Sequence, residues 1–400
     1  MADRTTRPRR TAAPQHPLPD EVALPLPDEV ALLLQGGGAL GSYQAGVYEA
    51  LHERDIEVDW VAGISIGAVN SAIIAGNPPE NRVAKLRAFW DLATGCLPNF
   101  HLPPDGYIRE AAHLTAAAAV AAFGVPGFFR PHLVPPVFAP EGSMNAISYY
   151  DTAPLEETLN ELVDWELLNH GPVRFSVGAV NVASGNFVYF DNQDPHWHGK
   201  ICAKHVMASG ALPPGLPPVE IEGQFYWDGG MVSNTPLAHV LDHHSGDILL
   251  FQVDLFPAQG AMPKQLTDVW SRQKDIQYSS RTRQVTDQYL RRHKEHRLVR
   301  ALLQKLPPEL RDDPLVAELW ELNHISAVNI VHLIYRGQAW ESGARDFEFS
   351  RATMLDHWAQ GHEAVAGVMC KGDLIAQNIV NGQSSAFDLD RPDHLKEKKA

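Results

Sequence analysis

The first strong pattern in the chain is a short apolar run, VALLLQ at 30–35, that ends in a cluster of glycines. A run too short for a helix and closed by glycine predicts a buried strand. Tyr43, Val47 and Leu51 then recur at i, i+4 and i+8, which puts an apolar stripe on a helix over 42–54. VDWVAG at 58–63 predicts a second strand, IGAVNSAIIAG at 66–76 a helix closing on Gly76, and 79–94 a further helix. Strand, helix, strand, helix in close succession indicates a βαβ unit and therefore a parallel sheet.

Alternating runs return at 173–183 and 186–191, joined by the turn residues Ser-Gly-Asn, and predict a hairpin. A short helix at 200–209 leads into the proline-rich loop ALPPGLPPV. A strand near 225–228, a helix from about 235 and a strand at 247–254 follow. From 262 onward the pattern is mainly helical, with a strand at 328–335 and a helix at 350–370. Residues 281–300 carry seven Lys/Arg against Asp287 and Glu295, which reads as a solvated helix face or as a contact for phosphate or an anionic membrane. Residues 97–148 set an alanine-rich run among prolines, glycines and the aromatics Phe123, Phe128, Phe129 and Phe138. They are either a packed helical insertion or a lipid-facing lid, because exposed apolar surface needs a reason.

The organisation expected is a tail over 1–28, a main α/β domain over 29–256 with the 97–148 insertion, a mainly helical extension over 257–380, and a frayed end over 381–400. PLPDEVAL at 17–24 recurs at 25–32; eight residues are too few for a solenoid unit, so this is a local duplication.

Composition narrows the function. At 44% hydrophobic and 20% charged, 400 residues can bury a sizeable core, and a net charge of -15 argues against a nucleic-acid partner. Cys96, Cys202 and Cys370 are few and scattered, which suits a reducing compartment and shows no metal-ligand spacing. The first sixteen residues lack the apolar core of a secretory signal, and no run of about 18 apolar residues is present. The expected location is cytoplasmic, with peripheral contact at the inner face of the membrane as an option; oligomeric state is open.

Three motifs carry the chemistry. GGGALG at 36–41 lies between a strand and a helix and, alone, matches a dinucleotide-binding turn, with Glu57 and Asp59 as distant acids. Gly63-Ile64-Ser65-Ile66-Gly67 has the strand-turn-helix setting of a nucleophile elbow, where Gly63 and Gly67 permit a sharp turn that presents the serine oxygen. A dinucleotide reading leaves this second motif unexplained. A serine nucleophile explains both, because the amides of Gly36, Gly37 and Gly38 can receive the oxyanion when loops after adjacent parallel strands emerge side by side. The third motif is Asp228-Gly229-Gly230, an acid at a strand end. Asp-Gly is also a common turn dipeptide. Aspartate, with a pKa of about 3.9, is a poor base until burial raises it. Among 19 histidines, His239, His243, His244, His324 and His332 come late enough for a histidine triad, but none sits in a distinctive motif.

GGGALG, GISIG and DGG in this order, with ASGALPPGLPPV at 208–219 before the last, resemble the patatin-like phospholipases over about 29–256. HLIYRGQAWESGARDFEFS looks like the C-terminal extension of a bacterial subgroup of that family. The resemblance implies a three-layer α/β/α fold with a mostly parallel sheet. It also implies a dyad of Ser65 and Asp228, an oxyanion hole from Gly36, Gly37 and Gly38, and supporting roles for Gly41, Gly63, Gly67, Gly229 and Gly230. It implies an acyl-enzyme on a lipid or acyl-ester substrate, with no cofactor or metal. Leu40 stands where the family often has a basic residue, which keeps lysolipids, thioesters and polyester fragments open beside phospholipids. A lipid-binding or scaffold protein that retains the motifs is the alternative from another class.

Overall fold

A nine-stranded sheet forms the centre of the computed structural model, which describes residues 24–388 apart from 96–102, 104, 312, 323–325, 339 and 342. The chain begins with β1 (Glu29–Leu34), α1 (Gly41–His52), β2 (Trp60–Gly63), α2 (Ile66–Ala75) and α3 (Pro79–Ala93). Next come α4 (Tyr107–Phe123), a small ribbon of β3 (Arg130–Pro131) and β4 (Tyr150–Asp151), then α5 (Ala153–Leu162) and α6 (Trp165–His170). The hairpin of β5 (Arg174–Asn181) and β6 (Phe187–Asp191) precedes α7 (Ala203–Gly210), β7 (Val219–Ile221), β8 (Gln224–Asp228), α8 (Leu237–His243) and β9 (Ile248–Asp254). The remainder holds α9 (Leu266–Leu303), α10 (Pro308–Arg311), α11 (Pro314–Leu322), β10 (Val328–Ile334), α12 (Arg351–Met369), α13 (Gly372–Val380) and β11 (Ser385–Phe387).

Strands β11, β10, β9, β1, β2 and β5 lie side by side and all run parallel. Alternate residues of β1 face opposite layers. Val30, Leu32 and Leu34 join a core with α1, α2 and α12, while Ala31 and Leu33 join one with α8. Burial on both faces is why β1 reads as an unbroken apolar run rather than an alternating one.

Two strands of the central sheet escaped the sequence pattern. β7 has only three residues, and Ser385–Phe387, expected to fray, instead pairs with Asn329–Val331. Such short strands are specified by their partners, not by periodicity. The C-terminal segment is built into the same sheet through β10, and α12 packs tightly on α1. A methyl group on Gly361 would sit 2.0 Å from the Tyr43 carbonyl oxygen.

One register detail positions the site. Ser176 to Val180 of β5 pair with β6 on one edge. On the other edge, Arg174 to Val177 pair with β2, and Ala179 to Asn181 pair antiparallel with β8. β5 is longer than β2 and overhangs it. β2 and β8 therefore occupy one edge of β5 in tandem, and their C-terminal ends point at each other.

Candidate active site

Ser65 sits in the turn where β2 ends and α2 begins, with φ 56 and ψ −122. This left-handed strain is unusual for a residue with a side chain and holds the hydroxyl out of the helix. The turn is nailed down around it. The Ser65 amide donates to both the carbonyl and the hydroxyl oxygen of Ser209, each at 3.1 Å, and the Ser209 hydroxyl donates to Gly178 O at 2.6 Å. Gly67 must lack a side chain, because a methyl there would lie 2.2 Å from the Leu34 carbonyl oxygen; Gly63 is pressed equally closely on Gly67.

Asp228 is the last residue of β8, and its amide donates to Ala211 O at 3.0 Å. The carboxyl is buried, accepts from the Gly230 amide at 2.7 Å, and feels the polar influence of the Ser65 side chain. Burial pushes its pKa up to about 7, although the Ser65 side chain and the Gly230 amide oppose the rise. Gly229 lets β8 end close to its neighbour, since a methyl would lie 2.5 Å from Gly178 O.

The three glycines after β1 play unequal parts. Gly36 lies nearest the serine, with its methyl position 3.0 Å from Ser65 Cβ, but its amide already donates to Asn234 O at 3.3 Å. The expected trio of free donors thus loses Gly36. The amides of Gly37 and Gly38 have no acceptor among the described residues. The amide of Ile66, at the head of α2, is in the same condition and carries the positive end of the helix dipole. Gly41 packs against Ile66 and Trp90, and its carbonyl accepts from Asn70 at 2.9 Å. Leu40 is fully buried in the core and offers nothing to a head group.

Several supporting residues are not visible as motifs. Asn234 donates to Gly36 O at 2.9 Å and so ties the first glycine loop to the Asp228 turn. Gln35 accepts from the amides of Leu255 and Phe256 and donates to Thr235 Oγ1 and Tyr278 O. Burial, then the carboxylates of Asp228 and Asp346, hold the Tyr278 phenol above its usual pKa. The only signal for Gln35 is a polar residue closing an apolar strand; Asn234 and Tyr278 carry none.

The late histidines are engaged elsewhere. His239 meets Asp191 at 3.0 Å, His243 donates to His239 O, His244 contacts Gly246 O and Tyr289, and His332 meets Asp254 at 3.2 Å. His324 lies outside the described residues. Among the described residues no group of three His, Cys, Asp or Glu side chains is arranged to hold a metal ion, and Cys202 and Cys370 are free thiols.

An apolar groove of about 610 Å3 is lined by Met144, Ile147, Val182, Pro213, Pro214 and Trp227 among others. Trp227 immediately precedes Asp228 in β8, so their side chains leave opposite faces of the strand, and Phe225 joins Trp227 on the groove side. Leu133, Val137 and Phe138 stand exposed on the adjoining 107–149 segment. No helix among the described residues is long and apolar enough to cross a membrane.

A family model described as Patatin-like phospholipase matches residues 32–241, just over half of the chain, and a second, described as Patatin phospholipase, matches 276–378. The sequence is 38% identical over 55 residues to a patatin-like phospholipase domain-containing protein of Caenorhabditis elegans; the match takes in 14% of this chain and 5% of that protein. Among solved structures, VipD from Legionella pneumophila is similar with a TM-score of 0.32 at 14% identity, over 83% of this chain and 67% of VipD. The type III effector ExoU, from Pseudomonas aeruginosa, gives a TM-score of 0.34 at 14% identity, over 88% of this chain and 54% of the ExoU chain.

Proposed function

The chain belongs to the patatin-like phospholipase family, and from that premise we propose that it is a serine acyl hydrolase working through Ser65 and Asp228. The observation that carries this reading is the meeting of the β2 and β8 ends, which brings Ser65 to a buried carboxyl whose pKa burial pushes up to about 7. A carboxylate of ordinary acidity would leave the serine proton in place. One raised to about 7 is matched to general-base work at neutral pH.

In the proposed reaction the Ser65 oxygen attacks the acyl carbonyl carbon while its proton passes to Asp228. The oxyanion is received by the amides of Gly37 and Gly38, with Ile66 as a further donor at the helix end. Gly36 keeps the loop in place through Asn234. Collapse of the adduct breaks the bond to the leaving alcohol, which takes the proton from Asp228 and departs. Water then attacks the acyl-serine, giving its proton to Asp228; the carboxylic acid leaves and the Ser65 hydroxyl is restored.

The apolar groove supports an acyl chain as the bound part of the substrate, and the exposed apolar side chains of 107–149 support a lipid aggregate as its physical form. The buried Leu40 supports no particular head group, so esters of neutral alcohols stand beside phospholipids and lysolipids.

The test is release of acid from short-chain nitrophenyl esters and from a lipid panel with product identification, using Ser65→Ala as the blank. Wild-type turnover lost in both Ser65→Ala and Asp228→Asn is the expected result. Full activity in either variant, or a wild type that a fluorophosphonate fails to label, would favour a lipid-binding role.

A further inference from the structure

Consecutive glycines cannot hold themselves in one conformation, so the aim of the Gly37 and Gly38 amides must come from what packs on them. Gly37 lies against Leu255 and Phe256. Gly38, at φ +56, lies against main chain: a methyl there would sit 2.0 Å from the Asp346 carbonyl oxygen. Asp346 belongs to the helical turn Arg345–Phe347, far outside the 32–241 stretch that holds Ser65 and Asp228.

This turn is fastened on two sides. From α9, Lys274 Nζ donates to both carboxylate oxygens of Asp346, at 2.7 and 2.8 Å, and to Gly343 O at 3.0 Å. The buried Arg345 pairs with Asp275, also of α9, and its guanidinium lies 5.5 Å from the ring centroid of Phe256, the residue packed on Gly37. On the other side, Phe349 stacks on Trp90 and meets Phe128 edge-on, and the buried Glu348 faces His113 of α4 at 3.4 Å.

We propose that the Lys274–Asp346 pair is a positioning clamp, which holds the Asp346 main chain on Gly38 and so fixes the oxyanion-binding amides. The C-terminal segment is then part of the hydrolytic unit and not an appendage to it. The clamp rests on the reading of the glycine loop as an oxyanion hole. Lys274 and Asp346 are both partly exposed, at 31% and 20%, so their ion pair contributes little to global stability. Displacement of the amides acts on the rate, where an error of about 1 Å costs roughly 100-fold.

The experiment measures kcat and KM on a short-chain nitrophenyl ester, fluorophosphonate labelling and Tm for the full chain and for Lys274→Met, Asp346→Asn and Lys274→Arg. Lys274→Met and Asp346→Asn are expected to lose kcat by about tenfold or more with KM nearly unchanged and Tm within about 3 °C. Lys274→Arg, which keeps the charge, is expected to recover most of kcat. Unchanged kcat in the first two variants overturns the clamp. So does a loss of kcat that tracks a large fall in Tm and is not recovered by Lys274→Arg, since that marks a purely structural pair. A wild type that neither turns over nor labels overturns the oxyanion reading, and the clamp with it; a labelled, active wild type beside unaffected variants overturns the clamp alone.

Discussion

The Asp228 carboxyl comes to Ser65 because two strands end face to face on the same edge of β5. β2 stops opposite Val177 and β8 stops opposite Ala179. A parallel strand and an antiparallel strand thereby deliver a serine and an aspartate to one point from opposite directions. Gly229 closes the gap, with Gly178 O and Ile64 against its α-carbon. The raised pKa follows from the same geometry, since the Asp228 carboxyl is buried and desolvated at this junction.

The pH dependence of turnover follows. A base must be ionised to accept the serine proton, and the Asp228 pKa is pushed up to about 7. kcat/KM on a nitrophenyl ester is expected to rise about tenfold per unit below pH 7 and to level off above it. A profile already flat from pH 5 to pH 8 would show that a group of ordinary acidity governs the rate.

The same shift makes Asp228 a liability to stability. Its folded pKa lies above the unfolded value of about 3.9, so its stabilising contribution is complete below about pH 4 and is lost as pH rises through about 7. Asp228→Asn is expected to abolish turnover yet to be more stable than wild type at pH 8, by on the order of 2 kcal/mol, with the two nearly equal at pH 4. Thermal denaturation at the two pH values checks the sign.

Backbone strain at Ser65 predicts a split between two small substitutions. Alanine keeps the unfavourable φ of 56, whereas glycine relieves it. Both variants are expected to be inactive, and Ser65→Gly is expected to melt higher than Ser65→Ala, by about 1 kcal/mol. Equal melting temperatures would mean that the turn is not strained.

Gly67→Ala tests the close approach of β1 to the serine turn. The added methyl would meet the Leu34 carbonyl, a main-chain atom in a central strand that cannot swing aside. Destabilisation of about 2 kcal/mol or more is expected, seen in chemical denaturation as a lower midpoint.

The groove predicts chain-length selectivity. Ile147 is half exposed at its rim, so Ile147→Asp should leave the fold intact. Its kcat/KM is expected to fall about tenfold on long-chain esters and to change little on short ones. An equal effect on both would place the acyl chain elsewhere.

Much of this protein was legible before any coordinates. Glycines around Ser65, the apolar run of β1 and the acid closing β8 are local signals, set by turn sterics and burial within a few residues of themselves. Their order along the chain pointed to the patatin-like fold, which the family match over 32–241 shows. The expected strands at 173–183, 247–254 and 328–335 appear as β5, β9 and β10 within a residue or two at each end.

What the sequence determined alone, then, is which residues have the right chemistry and the right immediate backbone. Only the tertiary structure decided how they meet, because strand register and loop contacts depend on partners hundreds of residues away. It placed β8 in line with β2, spent the Gly36 amide on Asn234, engaged the described late histidines with other partners, and set Asp346 against Gly38. Each of these is a contact between surfaces that carry no periodic signal. Their free energy arises only when the whole core closes.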